Sequence, residues 1–377
     1  MHARVHEVTG RLKESEMFFA RTTDFAIGPP SDAPLDLALH EPGWVPYCVD
    51  HESSSLVFTR IPAEIDLADS AFTYVTQYWN ADRLLFVPFE ALDALTARLE
   101  LPEIIWVFST GRCGSTLLSH ALNGSERVWS LSEPSPFDRS SLDLASDATL
   151  TVEALIVHVV KLLYAGRPNR ALDVLALKLR SQSIYRADAF HRATPNARYI
   201  FMYRDAIAWT ASFHQFLQGI GTPEVFDHDT RDSVWRMLSG AGPIDFLGRY
   251  IDLNNETVHM DRVFPAGWVL HLKTYLKHLA AGIPFLALRY NELSSAPETT
   301  TRRLFAHCGL AEYGVARALE AFEKDSQEGT SIARREGRRR LGVESADNIR
   351  ATLAKDPQFA DPNLILPDIY TRQPAAA

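Results

Sequence analysis

The chain has 377 residues, 46% of them hydrophobic and 23% charged, with a formal net charge of −9. That balance excludes a wholly disordered chain, and the negative charge excludes broad, non-specific nucleic-acid binding while leaving room for a local arginine cluster around a small anion. Cys48, Cys113 and Cys308 are widely spaced and form no CxxC pair, which argues against a structural zinc site or a disulfide framework and fits a reducing, cytoplasmic compartment.

The N-terminus, MHARVHEVTGRLKESEMFFA, is polar and lacks an apolar h-region, and no run approaches the ~18 apolar residues of a spanning helix. Neither a signal peptide nor a membrane span is expected. Apolar runs at Leu56–Ile61, Phe72–Thr76 and Leu84–Val87, bounded by turn formers, predict short strands, and Glu90–Leu99 predicts a helix. Residues 1–100 therefore read as an N-terminal, partly β subdomain or cap. A core over residues 101–341 follows. Ile104–Phe108, Val128–Leu131, Val174–Leu179, Arg198–Tyr203 and Pro284–Leu288 are compact apolar runs suited to buried parallel strands. Helices are predicted at Ser115–Leu122, Leu150–Tyr164, Ala206–Leu217, Trp268–Ala280 and Glu298–His307. Strands alternating with helices predict an α/β fold, a parallel sheet flanked by helices. Residues 342–377 are polar, then rich in Pro and Ala, and read as a tail that wraps the surface or frays.

The most informative segment is IIWVF-STGRCG-STLLSHAL. A buried strand feeds a loop with Gly111 and Gly114, and the loop feeds a helix N-terminus. Backbone N–H groups there, together with the helix dipole, form an anion site. Ser115 and Thr116 add hydroxyls, and Arg112 adds a planar fork of charged donors. The ATP/GTP pattern GxxxxGK[ST] needs a Lys before the Ser/Thr to reach the β- and γ-phosphates. Here its leading Gly is Ser109 and no Lys follows Gly114.

The loop resembles the 5′-phosphosulfate loop of sulfotransferases that use 3′-phosphoadenosine 5′-phosphosulfate (PAPS), often P-[KR]-[ST]-G-[ST]-T-L. This chain has Gly111-Arg112-Cys113-Gly114-Ser115-Thr116-Leu117, with Gly111 for Pro and Cys113 for Ser or Thr. The family's second signature is a strand ending in Arg with a Ser eight residues on. RYIFMYRDAIAWTAS carries Arg204 and Ser212 at that spacing, and the resemblance implies that they bind the nucleotide's 3′-phosphate. Arg204 leaves the sheet at a C-terminal strand end, where α/β proteins bind ligands. A third segment, Tyr290-Asn291-Glu292-Leu293, is similar to a Y-E-x-L segment common late in the family, with one extra Asn. The resemblance covers residues 103–340 with gaps and implies a P-loop-type α/β fold. It also implies PAPS as sulfuryl donor, no metal, and a separate acceptor substrate.

Sulfuryl transfer needs a base for the acceptor and cations at the oxygen that leaves. Many cytosolic sulfotransferases use a His in a Lys-Thr-His segment, but Leu177-Lys178-Leu179-Arg180 stands in that region. Other branches use a Glu on the strand after the first helix. VWSLSEP places Glu133 nineteen residues after Gly114, so the resemblance implies Glu133 as base. It implies Lys178, 26 residues before Arg204, as a catalytic cation. The basic run Arg334–Arg340 is similar to a late Arg-Lys-Gly segment that closes over the 3′-phosphate, with Arg335 as the candidate ligand, although Glu336 stands where Lys is expected. A solvated charged face is the plainer reading of that run. A P-loop small-molecule kinase and a non-catalytic nucleotide-binding protein remain alternatives. The acceptor is not legible, because acceptor pockets are built from variable loops.

Overall fold

The computed structural model describes residues 2–144, 150–219, 221–240, 242–326 and 342–371. Its strands are β1 (Ala3–Arg11), β2 (Phe25–Ile27), β3 (Ser31–Ala33), β4 (Trp44–Asp50), β5 (Ser55–Arg60), β6 (Arg83–Pro88), β7 (Glu103–Ser109), β8 (Val128–Ser132), β9 (Val174–Lys178), β10 (Arg198–Tyr203), β11 (Val225–Phe226), β12 (Val258–His259) and β13 (Phe285–Arg289). One sheet has the order β2-β1-β6-β5-β4, with β3 also on β1, and it is antiparallel throughout. A second has the order β13-β10-β7-β9-β8, with β8 parallel to β9 and β10 parallel to β13. The fold is α/β, a parallel five-stranded sheet flanked by helices, with an antiparallel β region at the N-terminus. The parallel strands are buried on both faces, which is why they read as continuous apolar runs rather than as alternating ones.

The chain divides into two compact units. The first comprises residues 1–106, 119–179 and 186–197. Its N-terminal strand β1 buries Ala3 and Val5 and exposes Arg4, a period-two pattern within a segment that looks merely polar by composition. Phe72–Thr76, expected as a strand, is instead the start of the helix Thr73–Asn80. Aromatic and β-branched residues favour strands only when a pleated surface is there to receive them. Here helical spacing brings the Thr73/Gln77 and Tyr74/Tyr78 pairs onto one buried side. Gln77 Nε2 then donates to the carbonyls of Val45 and Pro46 and to Thr59 Oγ1, at 3.0–3.2 Å. Further along, Trp106 stands edge-on to Phe137 and Phe190, at centroid distances of 5.2 and 4.7 Å.

The second unit comprises residues 107–118, 180–185 and 198–377. Its longest helix, Met260–Ala280, begins eight residues before the expected Trp268, because His259 caps it through the Asp261 N–H and Pro265 is accommodated inside it. The segment after residue 341 includes the helix Val343–Leu353, which buries Ile349 and Leu353. The chain then runs across the unit. Phe359 is fully buried against Trp268, the Pro362 carbonyl accepts from Ala206 N (2.9 Å), and Leu366 N donates to Tyr203 Oη (3.0 Å).

His271 lies inside this unit, fully buried, with Nδ1 donating to the Gly267 carbonyl at 2.8 Å. Burial lowers its pKa to about 4 from 6.5, against a smaller opposing effect of that hydrogen bond. Between those values the unfolded chain binds a proton that the native protein excludes, so the stability present above pH 6.5 is lost as pH falls. On that basis roughly 2 kcal/mol should disappear between pH 6.5 and about pH 5. Urea unfolding of wild type and His271→Leu at both pH values measures it. An acid slope unchanged in the variant would exclude His271 as its source.

Candidate functional site

In the second unit, β7 delivers the chain to the loop at 110–114, and the helix Ser115–Leu122 leaves it. The loop is held from several directions. Thr110 N donates to the Met202 carbonyl of β10 at 3.0 Å. Trp209 Nε1 donates to the carbonyls of Thr110 and Gly111 at 3.1 and 2.9 Å. Gly111 N donates to Ser109 Oγ at 3.2 Å. Three loop residues have positive φ, at +69° for Gly111, +49° for Arg112 and +82° for Gly114. Such left-handed turns curl the backbone into a concavity that suits anions, and the first helical turn leaves N–H groups without intrahelical acceptors.

Gly114 is required here for two reasons. Its φ disfavours any side chain, and a Cβ at this position would lie 2.6 Å from Tyr290 Cδ2. The Cys113 thiol is buried and faces the Met202 carbonyl at 3.3 Å, so only its backbone is available to a ligand. Ser115 and Thr116 are almost fully buried at the helix start.

Arg112 is half-buried. Its Nε donates to Ser212 Oγ at 3.3 Å, and its guanidinium carbon lies 5.6 Å from the Phe216 ring centre. Arg204 follows β10. Its guanidinium carbon lies 4.5 Å from the centre of the Tyr290 ring, and its carbonyl accepts from Trp268 Nε1 at 2.9 Å. The Asp205 carboxylate caps the next helix, accepting from Ala208 N at 2.8 Å. The unit thus brings together the loop 111–116, Ser212 and Arg204, with Tyr290 touching both Gly114 and Arg204. Trp209 is a residue of this site that sequence reasoning misses. An aromatic residue one turn into the helix after Arg204 carries no local mark of the clamp it makes.

In the first unit, the parallel register pairs Ser132 of β8 with Lys178 of β9. The strand ends therefore coincide, and Glu133 N donates to the Lys178 carbonyl at 2.6 Å. Lys178 Nζ contacts Glu133 Oε1 in an ion pair whose side chains are only 4% and 14% exposed. Two adjacent, largely dehydrated charges of opposite sign satisfy each other, and removing either would strand its partner. Glu133 has φ +55°, and among the described residues the non-glycine positions with positive φ are Ser54, Arg112 and Glu133. Two of these three are candidate site residues, in keeping with the tendency of backbone strain to collect where function needs a set geometry.

Arg335 and the rest of the Arg334–Arg340 run lie outside the described residues. Among the described residues no group of three or more His, Cys, Asp or Glu is placed to hold a metal ion, and no helix is long and apolar enough to cross a membrane.

A parallel α/β sheet with a strand–glycine loop–helix cradle and two guanidiniums beside it is the arrangement of the second unit's candidate site. The sulfotransferase domain family model matches residues 102–356, and the chain belongs to that family, whose members transfer sulfuryl groups. Among solved structures, a sulfotransferase from Alicyclobacillus acidocaldarius is 12% identical over 68% of this chain and 94% of its own, with a TM-score of 0.40. The sulfotransferase domain of the curacin biosynthetic pathway is 17% identical over 66% and 83%, with a TM-score of 0.38. A Mycobacterium avium sulfotransferase is 16% identical over 69% and 77%, with a TM-score of 0.37. No curated protein matches the chain.

Proposed function

We propose that the protein moves a sulfuryl group from PAPS to a hydroxyl or amine of an acceptor. The observation that carries this reading is the cradle of the second unit, with a glycine that admits no Cβ against Tyr290, the Arg204 guanidinium on that same ring, and Arg112 hydrogen-bonded to Ser212. A donor set of that kind suits a nucleotide with phosphates at two positions. The loop 111–116 and Arg112 would take the 5′-phosphosulfate, and Arg204 with Ser212 the 3′-phosphate. PAPS, when bound, supplies an activated sulfuryl group and leaves as PAP. Glu133 accepts the proton that the acceptor loses. Lys178 is the catalytic cation paired with that carboxylate, and Arg112 stabilises the phosphate oxygen that departs. Three widely spaced, buried cysteines accord with work in a reducing, cytoplasmic compartment.

The 3′-phosphate provides the test. ADP lacks it and AMP lacks it, so calorimetric titration should show a strong preference for PAP over both. Charge-assisted hydrogen bonds are worth roughly 1.5–3 kcal/mol, so Arg204→Ala should weaken PAP binding by about 10- to 100-fold. Ser212→Ala should weaken it less, and neither variant should alter AMP binding. Equal wild-type affinity for PAP and ADP would sink this reading and favour a small-molecule kinase.

A further inference from the structure

Resting on that reading of Glu133 and Lys178, we infer that Phe72, from the N-terminal region outside the family match, is a positioning residue that holds the Lys178 ammonium against Glu133. Lys178 Nζ lies 5.4 Å from the centre of the Phe72 ring, within the range of a cation–π contact. The ring is 4% exposed and packs against Tyr74, with centroids 6.1 Å apart. A lysine carries its charge on a flexible four-carbon stem, so one carboxylate contact leaves it several ways to turn. A ring face on another side of the ammonium narrows those choices without competing for the carboxylate.

The segment that carries Phe72 is fastened to β8, the strand that leads directly into Glu133. Asp66 Oδ1 accepts from Ala68 N (2.9 Å) and from Trp129 Nε1 of β8 (3.1 Å). Asn123 Nδ2 donates to the Ala68 carbonyl (3.2 Å), and Asn123 Oδ1 accepts from Ser130 N of β8 (2.8 Å). Residues 66–72 therefore take their position from Trp129 and Ser130, four and three residues before Glu133. The ring that faces Lys178 and the carboxylate that pairs with it are set by one strand. The N-terminal region thus supplies part of the support for the ion pair, which a detachable cap would not do.

The test is a double-mutant cycle on the full chain, read as PAP released from saturating PAPS with water as the acceptor. Water serves as a probe that requires no knowledge of the natural acceptor. Phe72→Leu should slow release by about two- to thirty-fold, the range of a cation–π contact, without changing the KM for PAPS. Phe72→Tyr, which keeps the ring, should restore most of the rate. In a Lys178→Met background Phe72→Leu should cost nothing more, because the ring acts through the ammonium. Should Phe72→Leu not fold, Phe72→Met fills the volume without a ring. Loss of rate by Phe72→Leu that persists in the Lys178→Met background, or that Phe72→Tyr shares in full, overturns the inference and leaves the ion pair's role standing. Wild type releasing PAP no faster than Lys178→Met overturns the underlying reading instead.

Discussion

Glu133→Gln is expected to slow sulfuryl transfer by ~10²–10⁴-fold, the usual reach of general-base catalysis, while PAP affinity stays at the wild-type level. The amide keeps the shape of the side chain and still offers an oxygen to Lys178 Nζ, which contacts Glu133 Oε1 in the native protein. It has no capacity to carry away the acceptor's proton. The same substitution removes the countercharge of a lysine whose side chain is 4% exposed. Stability should therefore fall as well, by up to the ~3–5 kcal/mol typical of breaking a buried pair. The two effects separate in Glu133→Gln/Lys178→Met, which removes both charges and should recover stability without recovering turnover. Steady-state rates across a pH series, PAP titration and urea unfolding of the three proteins measure all of this. Wild-type turnover by Glu133→Gln over the whole pH range would exclude Glu133 as the base.

Gly114→Ala should be the most damaging single change in the proposed nucleotide cradle. An alanine held at φ +82° is in left-handed backbone, which costs an L-residue ~1–2 kcal/mol. Its Cβ would also meet Tyr290 Cδ2 and Cε2 at 2.6 and 2.7 Å, and overpacking of this kind costs ~1–3 kcal/mol. The sum is about 2–5 kcal/mol, assigned partly to stability and partly to ligand affinity. Tyr290 has to move to admit the methyl group, and the Arg204 guanidinium rests on that ring at 4.5 Å, so the damage extends beyond the loop itself. Gly111→Ala is the milder comparison, since its Cβ meets the Ser181 side chain at 3.2 Å. Urea unfolding and calorimetry with PAP should rank the two, with Gly114→Ala the weaker binder. Undiminished PAP affinity in Gly114→Ala would remove the loop from the nucleotide site.

The sites that could be read from the sequence are those whose chemistry is local. Ile104–Phe108 is apolar because β7 is buried on both faces, and Gly111 and Gly114 follow it because the chain must turn through left-handed conformations before the helix. Arg204 at a strand end and Ser212 two turns into the next helix are set by the geometry of a strand followed by a helix. Phe72–Thr76 misled for the opposite reason. Its side chains suit a strand, and the surface formed by Val45, Pro46 and Thr59, which makes the helix preferable, comes from distant parts of the chain.

The sequence by itself determined an α/β chain with a strand–glycine loop–helix unit, because apolar runs, glycine positions and a charged Arg112 are properties of a dozen consecutive residues. The tertiary structure alone decided the partnerships. Lys178 meets Glu133 because β8 lies beside β9 in the register that pairs Ser132 with Lys178. Tyr290 meets Gly114 and Arg204 because β13 lies beside β10 in the register that pairs Arg289 with Tyr203. Strand order and register minimise the free energy of a whole core, and segments separated by many tens of residues acquire their neighbours only when that core closes.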